Sequence, residues 1–146
     1  MDTSEIGVII RPMVKTDVNA ALNLSGRLIT PEEVESLNLG EPENLCCVAE
    51  AEGKVVGFNL ASELYVGIPP SKICVMQGIV VHDDYRRLGI GEKLMEAVIE
   101  YCTNCGVEVI RVMVDENDVR LQQFVERAGF RLSNVVNFDR PVESNC

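Results

Sequence analysis

Apolar and polar positions along the chain sort it into short strands and amphipathic helices. Val8-Ile9-Ile10-Arg11-Pro12 predicts a first strand closed by proline. Asp17 stands where it can cap a helix carrying Val18, Ala21, Leu22 and then Leu28 or Ile29, with a break at Ser25-Gly26. Thr30-Pro31-Glu32-Glu33 opens a second, short helix ending near Leu39-Gly40: a hydroxyl cap, then proline at the first helical position. Residues 45–51 and 54–64 predict a hairpin around Glu52-Gly53. The apolar residues Tyr65, Val66 and Ile68 either pack on the sheet or line a substrate mouth, and packing is the favoured expectation.

Residues 73–81 predict another strand. Gly78 in its interior marks a bulge or a close backbone approach. After Gly89 the apolar positions Ile90, Leu94, Ala97, Val98 and Tyr101 fall on one helix face, and Gly106 stops the helix. Residues 107–114 are almost continuously apolar, as in a strand covered on both faces, which implies a parallel pair with the preceding strand. Leu121, Phe124, Val125 and Ala128 predict a last helix ending at Gly129. Residues 130–132 and 135–138 are expected to form two final strands. The order β, α, α, β, β, β, α, β, α, β, β describes a mixed α/β domain.

Length supports one domain over residues 1–146 with a substantial core. The formal net charge of -10 argues against nucleic acid as a partner, because a phosphate backbone favours a basic face. No apolar run is long enough to span a membrane, and the acidic N-terminus lacks a signal-peptide pattern, so the expected location is cytoplasmic. Six cysteines include one C-x-x-C, Cys102 to Cys105. A zinc site would need two more ligands, so packing and surface thiols are expected and no metal.

The chemistry centres on residues 79–94, where a strand meets a polar loop, Arg86-Arg87, two glycines and a helix start. The first N–H groups of a helix lack intrahelical partners, and the dipole places partial positive charge there. An anion is the natural ligand. A Walker loop does not fit, since Gly91 is followed by Glu92-Lys93-Leu94. A dinucleotide fingerprint lacks its third glycine. What remains is R-x-x-G-x-G, met by Arg86, Gly89 and Gly91.

With that motif, the chain resembles the GNAT superfamily of acetyl-CoA-dependent N-acetyltransferases. Residues 81–91 are similar to its pyrophosphate loop, V-x-P-x-Y-R-G-x-G-[IL]-G. Residues 124–130 resemble its closing Y-E-K-x-G-F box, and residues 9–12 and 48–57 its opening strand and hairpin. The resemblance implies a GNAT fold: a mixed, mostly antiparallel sheet with a central splayed parallel strand pair, flanked by helices. It implies acetyl-CoA as co-substrate and direct acetyl transfer to a primary amine in a ternary complex. The implied coenzyme-binding residues are Ile79, Val80 and Val81 for the pantetheine and Arg86, Arg87, Leu88, Gly89, Ile90, Gly91 and Glu92 for the pyrophosphate. Asn117 is added beside them; the family's asparagine falls on Asp118 by count, and Asn117 is one residue earlier. Homodimers are common for this fold. The acceptor, a small-molecule or protein amine, is not chosen by the sequence.

Two expected groups are absent. The tyrosine that many members use as acid falls on Val125. The fourth strand has no carboxylate to serve as base, and Glu50, Glu63, Tyr65 and His82 stay open as candidates. An acyl-cysteine route through Cys47 or Cys74 is disfavoured, because buried thiols are inert. The alternative to an enzyme is a non-catalytic acyl-CoA-binding regulatory module of the same fold.

Overall fold

The computed structural model describes residues 7–26, 30, 32–33, 39 and 44–144. They belong to two compact units, Met1–Met113 and Val114–Cys146.

The first unit is built on a five-stranded sheet in the order β1-β2-β3-β4-β5. Its strands are β1 (Ile9–Pro12), β2 (Cys47–Ala51), β3 (Lys54–Val66), β4 (Ser71–Val81) and β5 (Val109–Val112). The first three pairings are antiparallel, and β4 and β5 are parallel. Helix α1 is Val18–Leu24 and helix α2 is Ile90–Asn104. A strand, the helix α2 and a parallel strand form the expected crossover.

One cluster of buried side chains joins Met13, Ala21, Val48, Phe58 and Leu60; a second joins Ala49, Ala51, Val56, Ile90 and Leu94. The second is where α2 meets the sheet. Gly57 sets that approach: a Cβ there would stand 3.1 Å from the Val80 carbonyl oxygen and 3.3 Å from Ile90 Cγ2. A helix this close to a strand requires the missing side chain.

Several expectations change. Asp17 does not cap α1 through its side chain. Its carboxylate instead takes two hydrogen bonds from the Arg11 guanidinium, at 2.8 and 2.9 Å, and one from the Val14 N–H at 2.9 Å. A paired charge with three donors gains more than one cap bond would supply. Residues 15–17 form a 3-10 turn ahead of the helix. The β3–β4 arm is longer than expected, and Tyr65, Val66 and Ile68 do not pack on the sheet; Tyr65 is 71% and Ile68 102% exposed. The two strands extend each other by backbone pairing, Tyr65 with Lys72 and Val66 with Ser71, which needs no buried face. Strand β5 covers only four residues, is half-buried, and closes the sheet order rather than lying in its interior.

Of the second expected helix, Thr30 and Glu33 are described. Thr30 Oγ1 accepts from the Glu33 N–H at 3.2 Å, the cap its sequence suggested. Its remainder lies outside the described residues, save 32 and 39.

The second unit contains helix α3 (Val119–Arg127), capped by Asp118, whose Oδ1 accepts from the Leu121 N–H at 3.1 Å. Gly129, with φ 98°, ends it in the left-handed conformation, and the Phe130 N–H donates to the Val125 carbonyl. Residues 130–132 and 135–138 form no strands, contrary to their pattern. Leu132, Val135, Val136 and Phe138 are exposed. An alternating pattern suits a pleated surface but does not provide a ladder partner.

Candidate functional site

The site is assembled from the end of β4, the loop behind it and the start of α2. Strand β4 pairs with β3 through residue 81, with Ile79 opposite Asn59, Val80 opposite Phe58 and Val81 opposite Gly57. Its pairing with β5 stops at Met76. Residues 77–81 therefore present one backbone edge without a strand partner among the described residues. Ile79 and Val81 pack toward α2, while Val80 packs into the opposite cluster. Their side chains are core, and only their backbone is available.

The register slips by one residue here: Leu60 faces Gly78 and Ala61 faces Met76, so Gln77 is the extra residue of a bulge. This is the irregularity Gly78 pointed to. A Cβ on Gly78 would meet nothing within 4 Å, and its backbone needs no left-handed φ. The space beside the strand is open.

The loop is fixed from several directions. The His82 N–H donates to the Val56 carbonyl at 2.8 Å, and His82 Nδ1 accepts from the Asp84 N–H at 3.1 Å. Tyr85 donates its hydroxyl to Glu52 Oε2 at 3.1 Å. Partial burial, then that carboxylate, push the Tyr85 phenol above its ordinary value. Arg86 pairs with Asp83 at 3.1 Å and reaches the Val81 carbonyl at 3.5 Å. Arg87 is exposed and has a left-handed φ of 68°.

Gly89, φ 78°, stands at the N-cap of α2 and offers no side-chain cap. The first helical bond beyond it runs from the Lys93 N–H to the Gly89 carbonyl. The N–H groups of Ile90, Gly91 and Glu92 precede that bond and point out of the helix start. Two left-handed residues, 87 and 89, followed by free N–H groups make a concave turn suited to phosphate. Residues 79–92 thus come together as one strand edge and one helix start.

Asn117 lies in the second unit. Its N–H donates to Asp115 Oδ1 at 2.7 Å, and its side chain has no hydrogen-bond partner among the described residues. The neighbouring Asp118 is the α3 cap, so its carboxylate is already engaged.

The candidate bases are committed elsewhere. Glu50 accepts from Arg11 Nε at 3.1 Å. Glu63 stands opposite Cys74 and 3.4 Å from Lys72 Nζ, which gives its hydrogen bond to the Cys105 carbonyl. That places Glu63 by the C-terminal end of α2, whereas the turn lies at its N-terminal end. Tyr65 is on the exposed arm, and His82 Nδ1 is occupied as the loop's cap acceptor. Cys74 is fully buried, and burial pushes its thiol up to about 12; Cys47 is pushed up to about 11. Neither is a nucleophile near neutrality. Among the described residues no three metal-ligating side chains converge. No helix among them is long and apolar enough to cross a membrane.

The architecture has many solved counterparts. The aminoglycoside N-acetyltransferase AAC(6′)-Iy in complex with coenzyme A superposes with a TM-score of 0.78 at 23% identity, covering 95% of each chain. A protein from Bacillus halodurans described as a transcriptional regulator superposes at 0.74 with 19% identity, over 91% of this chain and 99% of that one. These show a shared fold. In sequence, 98 residues are 36% identical to a probable N-acetyltransferase, camello, of Xenopus tropicalis, and 90 residues are 30% identical to an uncharacterised N-acetyltransferase of Methanocaldococcus jannaschii. The matches cover 64% and 61% of this chain but 42% and 40% of those relatives. The family model for acetyltransferases of the GNAT type matches residues 18–130, from α1 through the turn at 86–91 to the end of α3. With the mixed sheet, the β4 edge and the R-x-x-G-x-G turn in place, the chain belongs to the acetyltransferase (GNAT) family.

Proposed function

We propose that this protein binds acetyl-CoA and transfers the acetyl group directly to a primary amine. The observation that carries the reading is the β4 edge at 77–81, which has no strand partner among the described residues and leads straight into the start of α2, where no side chain caps the helix. Pantetheine contains two amides and can pair with such an edge as a short strand would. The pyrophosphate would then lie on the N–H groups of residues 87–92, with Arg86 and Arg87 beside it.

The chemistry follows from this placement. The neutral amine attacks the thioester carbonyl, charge develops on the carbonyl oxygen, and the thiolate leaves. The free N–H groups of the β4 edge suit that oxygen. No side chain of this chain is assigned to take the amine proton, because Glu50, Glu63 and His82 are otherwise engaged. Holding amine and thioester together supplies most of the acceleration, and water carries the proton. Thiolate is a good enough leaving group to depart without the tyrosine that Val125 replaces.

That same replacement favours a second reading, a regulatory module that binds acyl-CoA and does not transfer. Thiol release from acetyl-CoA across aminoglycosides, polyamines, amino acids and peptide N-termini separates the two. Acceptor-dependent release supports the enzyme. Tight binding of acetyl-CoA with no release on any amine supports the module.

A further inference from the structure

His82 performs an unusual task for a histidine. It directly follows β4 and caps the 3-10 turn Asp83–Tyr85 with its ring: Nδ1 accepts from the Asp84 N–H at 3.1 Å. A backbone N–H can only donate. Nδ1 therefore carries no proton, and the ring is the neutral tautomer protonated at Nε2. The usual cap side chains, Ser, Thr, Asp and Asn, accept throughout the neutral range. An imidazole accepts only while it is neutral, and histidine is the side chain whose charge changes between about pH 5 and 8.

The surroundings make that proton consequential. The His82 N–H is bonded to the Val56 carbonyl of β3 at 2.8 Å, so the backbone is held and the ring is the part left to respond. The charged groups about it lie on its own loop and on the β2–β3 turn. Asp84 Oδ2 stands 3.9 Å from Nδ1. Asp83 is paired with Arg86 at 3.1 Å. Glu52 accepts from the Tyr85 hydroxyl at 3.1 Å. The Tyr85 ring meets the imidazole edge to face, with 5.8 Å between centroids. On protonation Nδ1 becomes a donor. It loses the Asp84 N–H and is drawn to the Asp84 carboxylate. The ring cannot serve both without moving, and it moves against Tyr85, the residue directly before Arg86.

We infer that His82 is a positioning residue for the coenzyme turn: the neutral ring fixes the backbone of residues 83–85 that aims residues 86–92, and the imidazolium releases it. The inference rests on the reading that residues 87–92 hold acetyl-CoA. His82 acts through the backbone and touches no phosphate. The sign of the pH effect follows. Coenzyme binding favours the neutral ring, so binding and protonation of His82 oppose each other and affinity falls on acidification. An imidazolium that met the phosphates directly would give the opposite sign.

His82 is the chain's one histidine, so its ring can be read without overlap. Nitrogen-15 spectra of the free protein at pH 8 should show Nε2 protonated and Nδ1 bare. Calorimetric titration with acetyl-CoA at pH 8 and at pH 5.5 then compares wild type, His82→Asn and His82→Ala. Asparagine can accept the same N–H but does not titrate, and alanine cannot accept it. At pH 8 wild type and Asn should bind alike, and Ala roughly fivefold more weakly. Between pH 8 and 5.5 wild type should lose roughly three- to fivefold relative to Asn and come level with Ala. The coenzyme's terminal phosphate also takes up a proton in this range, and the Asn variant carries that effect alone. Four results would overturn the inference and leave the coenzyme reading standing: a ring protonated at Nδ1 at pH 8, an Ala variant that binds as wild type does at pH 8, a wild type whose affinity follows Asn at both pH values, or one that tightens relative to Asn in acid. A wild-type protein that binds no acetyl-CoA at either pH would overturn that reading and the inference with it.

Discussion

Substituting Gly78 by valine probes the strand edge without touching the turn. The fold should tolerate it. A Cβ at Gly78 meets nothing within 4 Å, no left-handed φ is required, and valine suits a strand better than glycine. Removing a strand glycine should leave the melting temperature unchanged or raise it, by up to about 0.5–1 kcal/mol of stability. Binding should suffer. The free edge covers residues 77–81, and a parallel partner bonds to alternate residues, so two or three backbone hydrogen bonds are at stake. At about 1 kcal/mol net for each, the loss is about 2–3 kcal/mol, or about 30- to 150-fold in affinity. Titration with acetyl-CoA beside thermal unfolding reads both quantities, and Gly78→Ala should fall between. A Gly78→Val protein with wild-type stability and wild-type affinity would refute the placement of the pantetheine on this edge.

Other expectations concern stability and route. Replacing Asp17 by asparagine keeps its volume but weakens the bonds to Arg11 and Val14, and should cost about 1–3 kcal/mol in urea unfolding. Hydrogen bonds from Arg11 hold the Asp17 carboxyl below its ordinary value. Its contribution is therefore complete above the unfolded carboxylate value, about 3.9, and disappears as pH falls through the lower folded value. The stability gap between wild type and Asp17→Asn should narrow on that acid limb; a gap independent of pH would contradict the assignment. Gly57→Ala pushes on the Val80 carbonyl and on Ile90 together, and should cost about 1–3 kcal/mol while also weakening acetyl-CoA binding, measured by unfolding and titration. Cys74→Ala should leave acceptor-dependent thiol release within about twofold of wild type, since a thiol pushed up to about 12 forms no acyl intermediate near neutrality.

The turn was legible because its information is local. Strand, arginine, two glycines and an amphipathic helix lie within sixteen residues, and each carries its own conformational preference. The bulge could be anticipated from one strand-interior glycine. Features that depend on distant partners were less accessible. Asp17 read as a cap until Arg11, on another element, proved to hold it. Met95 and Cys102 joined the buried face of α2 beyond the expected stripe, because the sheet covers more of the helix than one narrow row. The apolar residues 130–138 looked like strands, yet pairing is a property of two segments and cannot be read from one. At the site, the pairing of Arg86 with Asp83 and the left-handed Arg87 depend on backbone geometry that spacing alone does not encode. The base candidates lost standing for a similar reason: Glu63 is drawn to Lys72, and Glu50 to Arg11.

A crystal structure with bound coenzyme A tests the central claim most directly. The account predicts pyrophosphate oxygens within hydrogen-bond distance of backbone N–H groups between Arg87 and Glu92, and pantetheine amides paired along residues 77–81. A coenzyme whose pyrophosphate lies away from that turn would contradict it.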